Sequence, residues 1–154
     1  MVKPYYAIAA KSKSTLLTLG QVLQIGNRSP SSCAMVKPWG AGIVNDKIQV
    51  WVNINYSGYR EAFRQAWIEA WEQNLNKKLS IGEKKLVIEP SYDIDHIFPR
   101  EKARQHGYEW VRLFESPQAI NRGYKDAINT SASAFPDPYI VDETIWNKWQ
   151  MVSK

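Results

Sequence analysis

The sequence has little cysteine and no long apolar run. Cys33 is its single cysteine, so the chain forms no internal disulfide and holds no cysteine-based structural zinc ion. No segment reaches the roughly 20 apolar residues that a membrane-spanning helix requires. Residues 1–24 also lack the basic stretch and apolar run of a secretory signal peptide. These absences predict a soluble protein, cytoplasmic in the cell that makes it, that does not depend on an oxidising compartment.

Acidic residues are outnumbered as well. Asp and Glu number 15 against 20 Lys and Arg, which gives a formal net charge of +5 and a sequence pI of about 9.3. Basic side chains bind polyanions because they displace counterions from phosphates, although many basic domains merely carry solvated charged faces. The length of 154 residues, 44% of them hydrophobic, predicts a single folded domain over residues 1–154.

Hydrophobic periodicity predicts one strand and one helix before residue 90. Residues 47–56 alternate apolar and polar side chains, as a half-buried strand does. From Phe63 to Leu75 apolar residues recur at three- and four-residue steps, which predicts a helix with Trp67 and Trp71 packed in the core. Elsewhere we expect a short helix within residues 16–25, a loop over residues 27–42, and a final short helix capped by Asp142.

The segment from residue 91 to residue 126 is the most informative part of the chain. It reads SYDIDHIFPREKARQHGYEWVRLFESPQAINRGYKD. Residues 94–98 and 110–114 are β-prone, and Ser116 with Pro117 fits the start of a helix. The order strand, loop, strand, helix would place Asn121 just over one turn into that helix, with its side chain towards the strands.

Asp95, His96 and Asn121 predict a metal-assisted catalytic site. Oxygen ligands from Asp95 and Asn121 would form a small, hard, incomplete metal site with room for water and a phosphate. An imidazole titrates near neutral pH, so His96 can take a proton from the attacking water. Adjacent residues on a strand point to opposite faces. Asp95 and His96 therefore serve one site only if the strand ends or distorts there, which Pro99 makes plausible.

This segment resembles the HNH, or ββα-metal, nuclease family. DIDHIFP followed about two dozen residues later by NRGYK matches the pattern in which Asp-His-Ile-x-Pro opens the motif and Asn-Arg closes it. It is especially similar to the HNH domain of the CRISPR RNA-guided nuclease. The resemblance implies His96 as general base, Asp95 and Asn121 as ligands of Mg²⁺, and products with a 5′-phosphate and a 3′-hydroxyl.

The match covers about a quarter of the chain and implies an α+β fold. We expect a ββα-metal core at residues 91–128, preceded by an N-terminal strand and helix region at residues 1–90. Residues 129–154 would add a loop and a short helix.

One position departs from the family pattern. The middle Asn, which orients the catalytic His, is absent, and Glu109 or Trp110 stands in its approximate place. A backbone carbonyl or Asp93 would then hold the His96 ring, while Asp93 fits a metal ligand or a turn residue equally well. His106 fits an exposed loop. If His106 joined the site, the preferred ion would shift from Mg²⁺ or Mn²⁺ towards Zn²⁺ or Ni²⁺.

Basic residues near the motif are candidate contacts for nucleic acid. Arg122 and Lys125 lie in the predicted helix beside Asn121 and can contact phosphates that flank the cut. Three more form a predicted basic loop, for which a solvated surface is an equal alternative: Arg100, Lys102 and Arg104.

These features together predict a metal-dependent endonuclease that hydrolyses DNA with low sequence specificity. A short basic HNH domain resembles the toxin domains of bacterial antagonism systems, which are delivered into rival cells and neutralised at home by an immunity protein, here expected to be acidic. Alternatives are a phage or mobile-element nuclease, an RNA-cleaving enzyme, and a nucleic-acid-binding module without catalysis. The intact Asp95, His96 and Asn121 argue against the last, because binding alone does not need all three.

Overall fold

The computed structural model describes residues 6–39, 48–87, 92–117, 135–141, 144 and 146. The strands within these ranges are β1 (Ala7–Ala10), β2 (Gly20–Leu23), β3 (Cys33–Pro38), β4 (Gln49–Asn53), β5 (Tyr92–His96), β6 (Trp110–Pro117) and β7 (Tyr139–Ile140). The helices are α1 (Lys13–Leu19), α2 (Tyr59–Leu75), α3 (Ile81–Val87) and α4 (Arg100–Gln105). The predicted α+β class is therefore confirmed. Within the described ranges, no helix is both long and apolar enough to cross a membrane.

Strand β6 organises an antiparallel sheet. In its first half, Val111 pairs with Val52 of β4 on one side and with Ala9 of β1 on the other. In its second half, Leu113 pairs with His96 of β5. The main sheet has the strand order β2-β3-β4-β6-β1-β7. A single strand thus connects the centre of the hydrophobic sheet to the segment that carries the candidate site.

The sheet buries side chains on both of its faces. Helix α2 covers one face, where Phe63 packs in the same cluster as Val52. Helix α1 covers the other, where Trp51 and Trp110 pack together. Strand β4 confirms the strand predicted for residues 47–56, but it is buried on both sides rather than one. The side expected to face solvent instead contains Trp51, whose indole N–H donates to Gln49 Oε1 at 2.9 Å.

Helix α2 confirms the helix predicted from the spacing of apolar residues. Its buried face includes Phe63, and Trp67 packs against the same core while partly exposed. Trp71 is 45% exposed, so its predicted packing in the core is wrong. It follows Ala66, the last fully buried residue of α2. The helix ends at Asn76, which adopts the left-handed conformation (φ 54°) that Asn tolerates at such ends.

The N-terminal region differs from the sequence prediction in two places. The helix expected within residues 16–25 is α1, which ends at Leu19 because Gly20 opens β2 and pairs with β3. The loop expected over residues 27–42 contains β3, which lies between β2 and β4 in the sheet. Hydrogen bonding on both sides stabilises β3 as a strand, whereas the neighbouring Ser, Pro and Gly residues had indicated a loop.

Helix α3 begins with a capping box. The N–H of Glu83 donates to Ser80 Oγ at 3.1 Å, and the Ser80 N–H donates to the Glu83 carboxylate at 2.9 Å. Lys77 also bonds that carboxylate at 2.9 Å. The Ser80 backbone first, and Lys77 after it, lower the pKa of Glu83 from 4.5 to about 2. Because the pKa of Glu83 is lowered on folding, its carboxylate stabilises the folded state fully above pH 4.5. This stabilisation is lost as the pH falls through about 2.

Residues 135–141 are joined to the beginning of the chain. The Asp137 carboxylate accepts hydrogen bonds from the Lys11 N–H at 2.9 Å and from Thr15 Oγ1 at 2.8 Å. Tyr108 donates its hydroxyl proton to the Pro136 carbonyl. Burial, and then the nearby Asp137, raise the pKa of Tyr108, so its hydroxyl stays protonated and able to donate. These contacts hold β7 beside β1.

Replacing Gly20 with Ala should destabilise the fold. An added Cβ would overlap the Lys37 carbonyl group and lie 2.8 Å from the Pro38 Cα. That backbone is paired with β2 and cannot withdraw without disturbing the ladder. We expect a loss of about 1–3 kcal/mol in the free energy of unfolding, measured by urea denaturation.

Gly82→Ala is the matched control for this prediction. Its added Cβ would meet Ser80 Oγ at 4.0 Å, an ordinary contact, and Ala favours the helix. Gly82→Ala should therefore unfold at the same or a higher urea concentration than the parent protein. If Gly20→Ala proved as stable as Gly82→Ala, the β2–β3 register would be wrong.

Candidate active site

Strands β5 and β6 hold the segment that the sequence singles out. The two predicted strands are confirmed and form an antiparallel pair, with Asp95 opposite Phe114 and His96 opposite Leu113. Strand β5 ends before Pro99, as expected from the missing backbone N–H of proline. Both strands of the predicted order strand, loop, strand, helix are therefore present.

The predicted connections around this pair need correction. The basic stretch after Pro99 is not a loop, because it forms α4, with Ala103 fully buried. The helix start predicted at Ser116 and Pro117 is also wrong, because β6 continues through both residues, with Pro117 opposite Tyr92 of β5. A complete ββα-metal core is not confirmed, since the predicted third element lies outside the described residues.

Asp95 and His96 lie on opposite sides of the β5–β6 pair. Asp95 is half-buried, whereas His96 is 5% exposed. As expected, strand β5 ends at His96 and the chain bends at Ile97 and Phe98, but the Ile97 N–H still donates to the Arg112 carbonyl at 3.0 Å. Backbone pairing therefore continues past His96 and keeps the two side chains apart.

His96 lies beneath the first residue of α2. The ring of Tyr59 contacts the imidazole edge to face, with 4.3 Å between the ring centroids and 60° between the planes. The Nε2 atom of His96 is buried and makes no hydrogen bond to the part of the chain that the structure describes. The Tyr59 ring thus covers one side of this imidazole.

Asp93 and Asp95 share the other side of β5. They are two residues apart on a regular strand, so their side chains point the same way, and both are half-buried. Two carboxylates on one face fit a hard divalent cation such as Mg²⁺. The described residues contain no cluster of three or more His, Cys, Asp or Glu that could hold a metal ion.

The remaining predicted ligand and two predicted nucleic-acid contacts cannot be assigned to this face. Asn121, Arg122 and Lys125 lie outside the described residues. Asn121 as the third ligand therefore stays a prediction.

Neither residue at the place of the missing middle Asn stands beside His96. Trp110 is buried with Trp51 in the cluster under α1, whereas Tyr59, which contacts His96, packs in the cluster under α2. Glu109 is exposed, and its backbone bonds to β1 through the Ala10 carbonyl at 3.1 Å. Glu109 and Trp110 therefore serve the pairing and packing of the sheet.

A basic surface lies next to Tyr59. All three predicted basic residues on α4 are exposed: Arg100, Lys102 and Arg104. The guanidinium carbon of Arg100 lies 5.5 Å from the Tyr59 ring centroid, and that of Arg60 lies 4.9 Å from it. Arg104 donates to Asn55 Oδ1 at 3.2 Å, which ties α4 to the loop before α2. Nothing local in the sequence indicates that Arg60 lies against the same ring as Arg100.

His106 packs on an aromatic ring and is not a freely exposed loop residue. It caps the C-terminal end of α4, is partly buried, and stacks on Phe135 with 3.7 Å between ring centroids and 15° between planes. This stacking gives His106 a structural role. Nothing among the described side chains supports a zinc or nickel site that includes it.

Comparison with known proteins adds no family assignment. No protein-family model matches the chain, and neither a curated protein nor a solved structure matches it.

Removing the Tyr59 ring should expose His96 to solvent reagents. In the parent protein we expect diethylpyrocarbonate to modify His106 faster than His96, because the imidazole of His96 is buried. In Tyr59→Ala the rate at His96 should rise at least tenfold, measured by mass spectrometry of the two histidine peptides. Tyr59→Ala should also cost about 1–3 kcal/mol of stability, because part of the ring packs in the core.

Tyr59→Phe is the matched control for the labelling experiment, because it keeps the ring and removes only the hydroxyl. It should leave the rate at His96 unchanged, and His106 serves as an internal reference in every sample. Equal rates at His96 in the parent protein, Tyr59→Phe and Tyr59→Ala would show that Tyr59 does not shield the imidazole.

Proposed function

We propose that this protein is a metal-dependent endonuclease of the HNH type that hydrolyses DNA phosphodiester bonds with low sequence specificity. The observation that carries the proposal is the antiparallel β5–β6 pair, which bears the Asp-x-Asp-His stretch beside exposed arginines. The excess of basic residues supports a polyanionic substrate. Delivery as an antibacterial toxin, restrained by an acidic immunity protein, remains our proposed biological setting.

Each proposed site residue has one chemical task. His96 accepts a proton from the water that attacks the phosphorus atom. Asp95 and Asn121, with Asp93 on the face of Asp95, supply oxygen ligands to a divalent cation, for which Mg²⁺ fits best. When bound, such a cation stabilises negative charge on the scissile phosphate and on the leaving oxygen.

The observed geometry adds a requirement to this mechanism. His96 is 5% exposed and packs against Tyr59, and alternation along β5 directs the imidazole and the Asp95 carboxylate to opposite sides. Catalysis would therefore require water to reach the imidazole past its present packing. His96 is the last residue of β5, and the chain bends directly after it at Ile97 and Phe98.

A nucleic-acid-binding module without catalysis is the second candidate. The burial of His96 favours it, because a general base must come within hydrogen-bond distance of water. The burial of Trp110 in the core, at the place of the family's middle Asn, favours it too. Both candidates use the same basic surface, so cleavage separates them.

The deciding experiment is plasmid cleavage by the purified protein after EDTA treatment and addition of Mg²⁺, Mn²⁺ or Zn²⁺, with a structured RNA in parallel. We expect metal-dependent nicking of DNA, reduced at least about 100-fold in His96→Ala because a general base contributes at least that much. Asp95→Asn should require a higher metal concentration for the same rate.

His106→Gln is the matched control, since it changes the chain's other histidine. It should cut at the parental rate. Cleavage of RNA but not DNA would move the substrate to RNA. Absence of cleavage of both substrates with all three ions would favour the binding module instead.

A further inference from the structure

Two arginines from distant parts of the sequence meet at one aromatic ring. Arg60 belongs to the first turn of α2 and Arg100 to the first turn of α4, and both guanidinium groups lie against Tyr59. Both side chains are exposed, while Tyr59 is half-buried against His96. The basic pair is therefore accessible from solvent and borders the proposed general base.

The two like charges of this pair lie close together. Because both groups contact one ring, their guanidinium carbons are within about 10 Å of each other, a separation comparable to the screening length at moderate salt. Among the described residues, the ion pairs are Lys77–Glu83 and Lys78–Glu72, both near the far end of α2. Neither Arg60 nor Arg100 has an acidic partner within 4.0 Å there. Glu61 and Glu101 adjoin the two arginines in the chain, but neither forms an ion pair with them in the part of the chain that the structure describes.

The ring also limits the freedom of both side chains. A cation over an aromatic face is attracted by the ring quadrupole, so each guanidinium loses less entropy when it binds a ligand. Arginine presents a planar fork of N–H donors that matches the oxygens of a phosphate. A pair of this kind fits a phosphodiester backbone better than a single small anion, because consecutive phosphates can each take one guanidinium.

We propose that Arg60, Tyr59 and Arg100 form a phosphate clamp that binds the nucleic-acid backbone beside His96. The clamp adds Arg60 and Tyr59 to the residues that contact substrate, and it rests on the proposed function for the identity of its ligand. Arg60 and Arg100 contact backbone phosphates and carry no sequence information. Phosphate binding at the Tyr59 ring would bring the scissile strand to the residue that covers His96.

The test is equilibrium binding of a fluorescently labelled DNA duplex in EDTA, so that no metal-dependent cutting occurs. Affinity is measured by anisotropy over a series of salt concentrations for the parent protein and for Arg60→Gln/Arg100→Gln. Each lost phosphate contact lowers the slope of log K against log salt by about 0.9. We expect the slope to fall by about 2, and the affinity near 0.1 M salt to fall at least tenfold.

The matched control is Lys84→Gln/Lys85→Gln, which removes the same charge from exposed positions on α3. Lys84 and Lys85 lie near the C-terminal end of α2, whereas the clamp lies at its N-terminal end. Because α2 is about 25 Å long, these lysines are remote from the clamp. The control should change the slope by less than half as much. Thermal unfolding of both variants, followed by circular dichroism, should match the parent protein.

The outcomes separate this inference from the proposed function. If both double variants lose equal affinity, or if the parent protein does not bind the duplex, the clamp is wrong. If the arginine variant binds as the parent does while the parent cuts plasmid, the clamp fails and the nuclease stands. If the arginine variant alone loses binding while the parent cuts nothing, the clamp stands and the nuclease fails.

Discussion

The shared pairing of β6 is the constraint on which the rest of the structure depends. Its first half is hydrogen-bonded to β4 and β1 within a sheet that is buried on both faces. Its second half has β5 as its partner, and it therefore fixes the register of Asp95 and His96. A shift of one residue in this pair would exchange every side chain between its two sides. The same strand therefore stabilises the hydrophobic sheet and fixes the orientation of the candidate site.

That register gives the two sides of β5 different roles. Asp93 and Asp95 face one way as a pair of carboxylates, while His96 faces the other and packs under Tyr59. A buried imidazole contributes to packing in the described arrangement, and it becomes a base only if water reaches it. The proposed nuclease would therefore need a conformational change that lets water reach His96. Trp110, at the place where HNH nucleases have an orienting Asn, is buried in the cluster under α1, whereas His96 packs against Tyr59 on the α2 side.

Tyr59 is the residue at which packing, catalysis and substrate binding would meet. One side chain contacts His96, Arg60 and Arg100, which belong to β5, α2 and α4. The hydrogen bond from Arg104 to Asn55 holds α4 against the loop before α2 and so keeps the two arginines close. A phosphate bound by those arginines would act directly on the ring that covers the imidazole. Substrate binding and exposure of His96 would in that case be coupled through a single side chain.

The sequence by itself determined the elements whose signal is local: the three- and four-residue spacing of α2, the alternation of β4, and the β-prone stretches of β5 and β6. A local signal for α3 was present as well, in Ser80 and Glu83, although its short length hides it from hydrophobic periodicity. Tertiary structure decided what depends on partners distant in the chain. Strand β3 forms because β2 and β4 flank it, and Ser116 and Pro117 stay extended because β5 pairs with them. Arg60 and Arg100 lie against one ring because α2 and α4 begin beside it. Hydrogen bonds and ring contacts between residues distant in the chain produce no periodic pattern in the sequence. Their free energy is gained only after the sheet has brought the elements together.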